Sequence, residues 1–333
     1  MKYFMFVLLL WLTMIRSAFS ADLTEQGIRL FNQKEYQQAQ QVLEKESENG
    51  NAYATFWLGV VQYRNRQQFE AGRTFLRAAE MGSPWAMGVL IPDNDTPCEF
   101  LGWPCDEKWR DRAIEGWEKE AEKGNGKALL QLQFYVSQWR NYIPYLGRYL
   151  IDEKYKEALK EGGLNATYYI DRFSAFPSKE KVDYLRFAAE KDFAPAMVSL
   201  FYRMDTIGVD AALEWAHKAI VLGYAEAANA LYMSYTVGQK DTDGNYIIEP
   251  NPKKAYYYNR LSGALGGREE SASQITETIR VKDNRPVTDS NGRPVFDILV
   301  TKQEQAELDK KVEEFVKDIK PNMFLDETSI DLF

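Results

Sequence analysis

The sequence contains one histidine and two cysteines, and this scarcity excludes the commonest catalytic arrangements. Acid–base and nucleophilic catalysis by the usual routes need a base held beside a nucleophile. The one imidazole, His217, lies off the apolar face of its predicted helix, so we expect a solvated surface histidine. A glycine-rich phosphate loop, a nucleophile elbow and a paired metal motif are also absent from the sequence. We therefore predict no catalytic residue, no cofactor and no metal, and we expect that the protein is not an enzyme.

Long apolar runs are absent beyond the N-terminus. The N-terminal segment has an apolar run from Tyr3 to Ile15, which is shorter than the roughly 17–25 residues that a membrane span needs. Small residues, Ala18 and Ser20, follow at cleavage positions, and the segment is typical of a secretory signal peptide. We expect residues 1–20 to be removed and the mature protein to reside in the periplasm, with secretion as the second choice. An uncleaved anchor stays open as an alternative, because Arg16 lies close to the cleavage site.

Basic residues are fewer than acidic ones. The sequence has 41 Lys and Arg residues and 49 Asp and Glu residues, which gives a net charge of −8. An acidic exported protein is a poor candidate for nucleic-acid binding, which depends on cationic contacts with phosphates. We therefore expect a protein partner, no nucleic acid, and no membrane insertion once the signal peptide has been removed.

What the sequence does contain is a six-fold recurrence of a Gly or Asp, three further residues, and an Ala. Successive alanines are 30 to 42 residues apart, which is the period of stacked helical-hairpin repeats. Each recurrence falls at a seam between two amphipathic helical stretches, and the pattern predicts a solenoid, whose curved surface suits macromolecular binding. The recurrences are Gly50/Ala54, Gly82/Ala86, Gly124/Ala128, Gly162/Ala166, Asp192/Ala196 and Gly223/Ala227.

The clearest repeat runs from Ala196 to Ala227. Gly208 separates its two predicted helices, Asp210 can cap the second helix, and Gly223 ends it. Small alanines let the two helices approach closely while a large aromatic fills the neighbouring gap. The apolar positions at helical spacing are Ala196, Leu200, Phe201 and Met204, then Ala212, Trp215, Ala216 and Ala219.

This pattern of Ala, Leu-Gly and Tyr in one helix, followed by Ala, an aromatic, Ala-Ala and Gly in the next, resembles the SEL-1-like repeat family. The resemblance covers roughly residues 22–267 and is strongest from Trp57 to Ala86 and from Ala196 to Ala227. It implies an all-α fold, a right-handed superhelical solenoid of antiparallel helix pairs similar to tetratricopeptide repeats. It also implies a protein-binding adaptor, often one of bacterial envelopes.

We expect the solenoid to occupy residues 21–267, with an insertion at about 91–112 and a loop at about 238–251. The loop resembles a calcium-binding loop in part, but it lacks the bidentate Glu, so we expect an ordinary turn. Residues 268–333 form a C-terminal segment, in which Asn291-Gly292 predicts a hairpin turn. An amphipathic helix over Thr301–Lys320 is expected to cap the array.

The insertion carries the two cysteines, Cys98 and Cys105. An even number of cysteines in a chain bound for an oxidising compartment predicts a disulfide. Closing so short a loop stabilises the fold by at most about 2–3 kcal/mol, so local rigidity is its main effect. A metal site is the alternative, although no second cysteine pair is present.

Aromatic residues are dense between Trp103 and Tyr149, and they suit either helix packing or partner contact. Trp117 occupies the aromatic position of a second helix and is expected to pack. Residues in the insertion or the irregular segment that follows are candidate partner-binding anchors, because exposed aromatics are typical of interfaces. These candidates are Trp103, Trp109, Trp139 and Tyr142.

The sequence-based hypothesis is a periplasmic repeat protein that sequesters one protein partner. The resemblance extends it to an immunity protein that neutralises a phospholipase-like effector of a type VI secretion system. An envelope assembly or signalling adaptor is the alternative within the binding class, and a cell-wall or β-lactam hydrolase is the alternative from another class.

Overall fold

The computed structural model describes residues 22–92, 97–135, 143, 145–330 and 332, so the expected signal peptide lies outside the described residues. Packing divides the chain into a first unit, Met1–Phe176 with Leu325–Phe333, and a second unit, Pro177–Phe324. Among the helices described, none combines the length and the apolar character that a membrane crossing requires.

The first unit is a succession of helices. They are α1 (22–32), α2 (Tyr36–Glu48), α3 (Ala52–Arg64), α4 (Gln68–Glu80), α5 (Pro84–Val89), α6 (Pro97–Leu101), α7 (Lys108–Ala121), α8 (Gly126–Tyr135), α9 (Leu146–Lys160) and α10 (Ala166–Phe173). From α2 to α5 and from α7 to α10 each helix packs on the next, and α5 packs on α7.

The second unit continues the same alternation and adds small antiparallel sheets. Its helices are α11 (Ser178–Ala189), α12 (Ala194–Phe201), α13 (Met204–Ile207), α14 (Val209–Val221), α15 (Ala225–Val237), α16 (Pro252–Ala264), α17 (Ala272–Thr276) and α18 (Lys302–Val316). Its strands are β1 (Gln239–Lys240), β2 (Tyr246–Ile248), β3 (Glu277–Ile279), β4 (Val281–Lys282), β5 (Arg285–Pro286) and β6 (Phe296–Ile298). β1 pairs with β2, β3 with β6, and β4 with β5.

The recurrent seams behave as the sequence predicts. All six Gly or Asp residues have positive φ, from +58° at Asp192 to +100° at Gly82. That conformation ends one helix and turns the chain into the next, and it favours glycine because no Cβ clashes there. The six alanines that follow are at most 1% exposed, so each seam places a small residue where two helices meet. The all-α helix-pair fold class is confirmed.

Aromatic side chains fill the core of the first unit. Phe75 contacts Phe56 with ring centroids 5.9 Å apart, and it contacts Trp103 at 5.3 Å. Trp117 is fully buried, with its ring 5.7 Å from Trp85 and 5.1 Å from Tyr135. Packing of Trp117, which its helical position predicts, is therefore confirmed.

The insertion forms the predicted disulfide, with the sulfur atoms of Cys98 and Cys105 2.05 Å apart. The sequence-based interpretation of its two tryptophans as exposed partner-binding anchors needs correction. Trp103 is 6% exposed and Trp109 is 2% exposed, so neither side chain is an exposed anchor in this structure. The indole N–H of Trp103 donates to the carbonyl oxygen of Gln68 at 2.9 Å. A Cβ on Gly72 would lie 2.5 Å from the Trp103 ring, so the core leaves room for this indole.

The two predicted loops of the second unit are ordered by side-chain turns. At the 238–251 loop, the Asp241 carboxylate accepts hydrogen bonds from the backbone N–H groups of Asp243 and Asn245. At the predicted Asn291-Gly292 turn, the Asp289 carboxylate accepts two backbone N–H groups in the same manner. Over the described residues no cluster of three or more metal-ligating side chains occurs.

Helix α18 begins with a capping box formed by Thr301 and Glu304. It packs on α16, where the Arg260 guanidinium donates to Asp309 at 2.9 Å. After α18 the chain leaves helical structure and continues as a C-terminal tail (Leu325–Ile330 and Leu332), which packs within the first unit.

Candidate protein-binding site

Of the four candidate anchors from the sequence, Trp139 and Tyr142 lie outside the described residues, and Trp103 and Trp109 are buried. The structure instead exposes aromatic rings on α8 and α10 of the first unit, and two half-buried rings, Tyr155 on α9 and Tyr169 on α10, lie among them. We call these five rings the aromatic patch, and its members are Phe134, Tyr155, Tyr168, Tyr169 and Phe173.

Tyr169 is the centre of the aromatic patch. Its ring lies 5.2 Å from Phe134, 5.3 Å from Tyr155, 5.2 Å from Tyr168 and 6.3 Å from Phe173. Phe134, Tyr168 and Phe173 are 40%, 48% and 53% exposed around it. The rings therefore form one connected surface, in which the inner ones are supported and the outer ones face solvent.

The end of α10 is held firmly beside this surface. The buried carboxylate of Asp152 on α9 accepts a hydrogen bond from the backbone N–H of Ala175 at 2.9 Å. The hydroxyl of Ser174 donates to the carbonyl oxygen of Ile170 at 2.6 Å, and Arg148 donates to the carbonyl oxygen of Phe173. These hydrogen bonds fix the backbone that carries the Phe173 side chain.

The aromatic patch shares its helix faces with a second feature, the site of the C-terminal tail. Lys127 and Phe134 are seven residues apart on α8, which is two helical turns and therefore one face. Asn165, which precedes α10, is four residues from Tyr169. The beginnings of these two helices hold the tail, and their later turns carry the aromatic patch.

Four side chains, Asn32, Tyr53, Lys127 and Asn165, hold the tail, and we call them the tail groove. The Asn32 carboxamide donates to the carbonyl oxygen of Leu325 at 2.9 Å and accepts its N–H at 2.6 Å. The other three bind side chains of the tail, as described next.

Glu327 is the most deeply placed charge of the tail, with its side chain 3% exposed. Its carboxylate accepts a hydrogen bond from the Tyr53 hydroxyl and pairs with the Lys127 ammonium at 2.8 Å. The Asn165 amide donates to the Asp326 carboxylate at 2.8 Å and to the Thr328 hydroxyl at 3.0 Å. Each polar side chain of the Asp-Glu-Thr sequence is therefore recognised.

Negative charge exceeds positive charge at this place. Burial and the neighbouring Glu327 raise the pKa of Asp326. Burial raises the pKa of Glu120, and Glu327 adds to that rise. Burial alone would lower the pKa of Lys127, but the negative charges of Glu327, Asp326 and Glu120 and the hydrogen bond with Glu327 together outweigh it and raise that pKa. Three carboxyl groups thus act on the ammonium group of Lys127, and the charge of Lys123 acts on Glu120.

Two open cavities lie outside these features. One of about 660 Å³ in the first unit is bordered by four glutamates, Glu118, Glu122, Glu157 and Glu161, above Leu129 and Leu132. Another of about 600 Å³ in the second unit is lined by Trp215, His217 and Met197 among others. His217 is exposed, and its Nε2 lies 2.8 Å from the Tyr258 hydroxyl. The described lining of these two cavities includes no serine, threonine or cysteine.

The sequence singles out neither the aromatic patch nor the tail groove. Tyr168-Tyr169 and Phe173 stand just after the anchor Ala166, and an aromatic pair followed four residues later by another aromatic is the signal that points to them. Tyr53, Lys127 and Asn165 each stand immediately before a recurrent alanine, at Ala54, Ala128 and Ala166. At three of the four seams of the first unit, the residue before the anchor therefore faces the tail, whereas at the fourth the Trp85 indole N–H donates to Glu120.

Comparison with protein-family models gives no match, and comparison with curated proteins gives none either. Several solved structures are similar in fold. A protective antigen of uropathogenic Escherichia coli with an SLR fold has a TM-score of 0.44 and 17% identity, over 85% of this chain and 57% of that chain. A Sel1 repeat protein of Oxalobacter formigenes has a TM-score of 0.42 and 19% identity, over 72% of this chain and 99% of that one.

A third similar structure is the immunity protein Pa5087 of Pseudomonas aeruginosa. It has a TM-score of 0.32 and 20% identity, over 65% of this chain and 76% of that one. This chain spans little more than half the length of the Escherichia coli antigen.

Proposed function

We propose that this protein binds one protein partner and that the aromatic patch is the surface on which the partner docks. The observation that carries the proposal is the exposure of Phe134, Tyr168 and Phe173 around a common supporting ring. Contiguous exposed aromatics are unusual on a surface that contacts only water, and they are typical anchors of protein interfaces.

The rigidity of this surface favours binding. The backbone at Phe173 is fixed by Asp152, Ser174 and Arg148, so little conformational entropy is lost when a partner covers the ring. The net charge of −8 favours a partner with a basic surface, because opposite charge accelerates encounter.

For the partner itself, we propose an antibacterial effector that reaches the periplasm, a phospholipase-like enzyme of a type VI secretion system. The acidic repeat array and the signal-like N-terminus support an exported binder, and the SEL-1-like pattern of the sequence motivates the immunity role. In that role the bound protein would cover the effector's active site. An envelope assembly or signalling adaptor is the second candidate, with a membrane component in place of the effector.

The docking surface is tested by paired substitutions. Residues 21–333, the expected mature chain, are prepared with the paired substitutions Tyr168→Ala and Phe173→Ala. The control has Tyr202→Ala, at an exposed tyrosine of the second unit. We expect the patch variant to retain less of the partner from periplasmic extract, by a factor of about 10 or more. The reason is that truncating an interface aromatic often costs about 2 kcal/mol or more of binding free energy. Equal retention by the patch variant and the control would overturn this surface.

The immunity role is tested on the effector's activity. We expect the retained protein to be an enzyme whose hydrolytic activity disappears in the stoichiometric complex and returns with the patch variant. Cells without the gene should become sensitive to attack by sibling cells. If the gene's loss changes neither sensitivity nor survival with any co-encoded toxin, the immunity role is wrong, and an envelope component in the complex would support the adaptor.

A further inference from the structure

We propose that the tail groove is a binding site for short acidic peptides and that the chain's own tail is a resident, exchangeable ligand of it. The peptide class has an apolar residue followed by Asp, Glu and hydroxyl residues, as in Leu325-Asp326-Glu327-Thr328-Ser329. This proposal concerns different residues from the aromatic patch and stands whether or not that patch binds a partner.

The first argument is the manner in which the backbone is held. Asn32 both donates to and accepts from the main chain of Leu325. A side-chain amide that bonds both backbone groups of one residue recognises any peptide in that conformation, and it does not require covalent attachment. The same contact is open to a peptide that arrives from another molecule.

The second argument is the polarity of the contact. A segment that only covers the end of a helical array is stabilised most simply by apolar burial, since removing a charge from water is costly even when it is paired. Here the Glu327 carboxylate binds the Tyr53 hydroxyl and the Lys127 ammonium group. The Asn165 amide donates hydrogen bonds to both Asp326 and Thr328. Such matched polar groups give specificity for a sequence.

The third argument is that the docked tail forms a turn stabilised by its own hydrogen bonds. The Asp326 carboxylate accepts the backbone N–H of Thr328 at 2.8 Å, and the Asp326 N–H donates to the Ser329 hydroxyl at 2.9 Å. A peptide that carries this turn within itself loses less entropy on binding. Ile330 and Leu332, which follow the turn, are buried at 1% and 3% exposure.

The fourth argument is that the docked tail concentrates negative charge. Glu327 pairs with Lys127 at 2.8 Å, and Asp326 beside it accepts hydrogen bonds from the uncharged donors Asn165 and Thr328. Repulsion between neighbouring carboxylates weakens docking without changing its geometry. The tail is therefore suited to exchange with a peptide of the same class.

The test on the unmodified full chain uses a synthetic peptide with the sequence of residues 324–333. A tethered segment has an effective concentration on the order of 1 mM, so the peptide is added at about that concentration. We expect backbone hydrogen exchange over residues 325–330 of the chain to accelerate several-fold. A control peptide with Gln in place of Glu327, the carboxylate that pairs with Lys127, should leave it unchanged. Equal exchange with and without the acidic peptide would overturn the proposal.

A second measurement uses the variant Glu327→Gln in the full chain, because Glu327 is the tail carboxylate that pairs with Lys127. Its weakened tail should allow the fluorescently labelled acidic peptide to bind at least about 10-fold more tightly than to the unmodified chain. Adding Lys127→Met, which keeps most of the aliphatic side chain and removes the charge, should abolish that gain. A folded Glu327→Gln variant with no gain in peptide affinity contradicts the proposal, and if the variant does not fold, the exchange measurement decides.

Discussion

The carboxamide of Asn32 and the main chain of Leu325 form a reciprocal pair of hydrogen bonds across 293 residues of sequence. One amide side chain satisfies both backbone groups of a residue that has no regular secondary structure. The end of the described chain is thereby joined to its first helix.

Substituting Asn32→Ala should lower the free energy of unfolding by about 1–3 kcal/mol, because the two backbone groups of Leu325 would lose partners that burial makes hard to replace. Urea denaturation measures the change. The control Asn49→Ala removes an exposed amide that bonds Glu46 at 3.3 Å, and it should stay within about 0.5 kcal/mol of the parent. Equal effects of the two substitutions would contradict the role of Asn32.

Docking of the tail should strengthen as the pH falls from neutral toward the ordinary range of carboxyl pKa values, about 4. The pKa values of Asp326 and Glu120 are raised in the docked state by burial and by Glu327, so the docked state binds more protons, and a lower pH favours it. Lys127 and Tyr53, which also face Glu327, have raised pKa values above this range and stay protonated throughout it.

Exchange protection of residues 325–330, corrected for the intrinsic effect of pH on exchange, measures this dependence. The variant Asp326→Asn removes one of the two titrating carboxyl groups and should flatten the profile. Protection that increases with pH would show that docking releases protons and would contradict the argument.

Gly223 should tolerate alanine much less well than Gly50, although both have positive φ, +84° and +87°. A Cβ on Gly223 would lie 2.0 Å from the carbonyl oxygen of Lys320, whereas nothing lies within 4 Å of one on Gly50. Gly50→Ala should therefore cost about 1–2 kcal/mol from backbone strain alone. Gly223→Ala should cost about 1–3 kcal/mol more, because the chain that follows α18 must move. Urea denaturation of the two variants measures the difference, and equal losses would contradict it.

Replacing both cysteines, Cys98→Ser with Cys105→Ser, should lower the free energy of unfolding by no more than about 2–3 kcal/mol. The loop between them is short, so its closure removes little entropy from the unfolded chain. Trp103→Ala should cost about 3–5 kcal/mol, because it empties a core position that Phe75 and Gly72 shape. Thermal or urea unfolding ranks the two variants, and a larger loss from the cysteine pair would be the contrary result.

The helical seams could be predicted because each is a local event. A Gly or Asp in the left-handed conformation and a small Ala four residues later are both fixed by neighbours in sequence, and all six positions behave alike. Asp192 takes the same conformation with φ +58°, as a short polar side chain can.

The docking of the tail and the burial of the tryptophans could not be predicted, because both depend on contacts between residues far apart in sequence. Nothing near Leu325 indicates that Asn32 binds it. Trp103 stands among prolines and a glycine, which indicate a surface loop, yet the gap left by Gly72 admits its ring into the core. Exposure of Tyr168 and Phe173 likewise follows from which helix faces remain uncovered.

In the tail groove, helix packing and contact with the tail are carried out by different, adjacent residues. The alanines at 54, 128 and 166 maintain the helix packing, and the residues just before them, Tyr53, Lys127 and Asn165, differ in chemical type while each contacts the tail. A change at one of these preceding positions alters which peptide is preferred and leaves the buried alanine untouched. The array can therefore acquire new binding preferences one residue at a time, without a compensating change in its core.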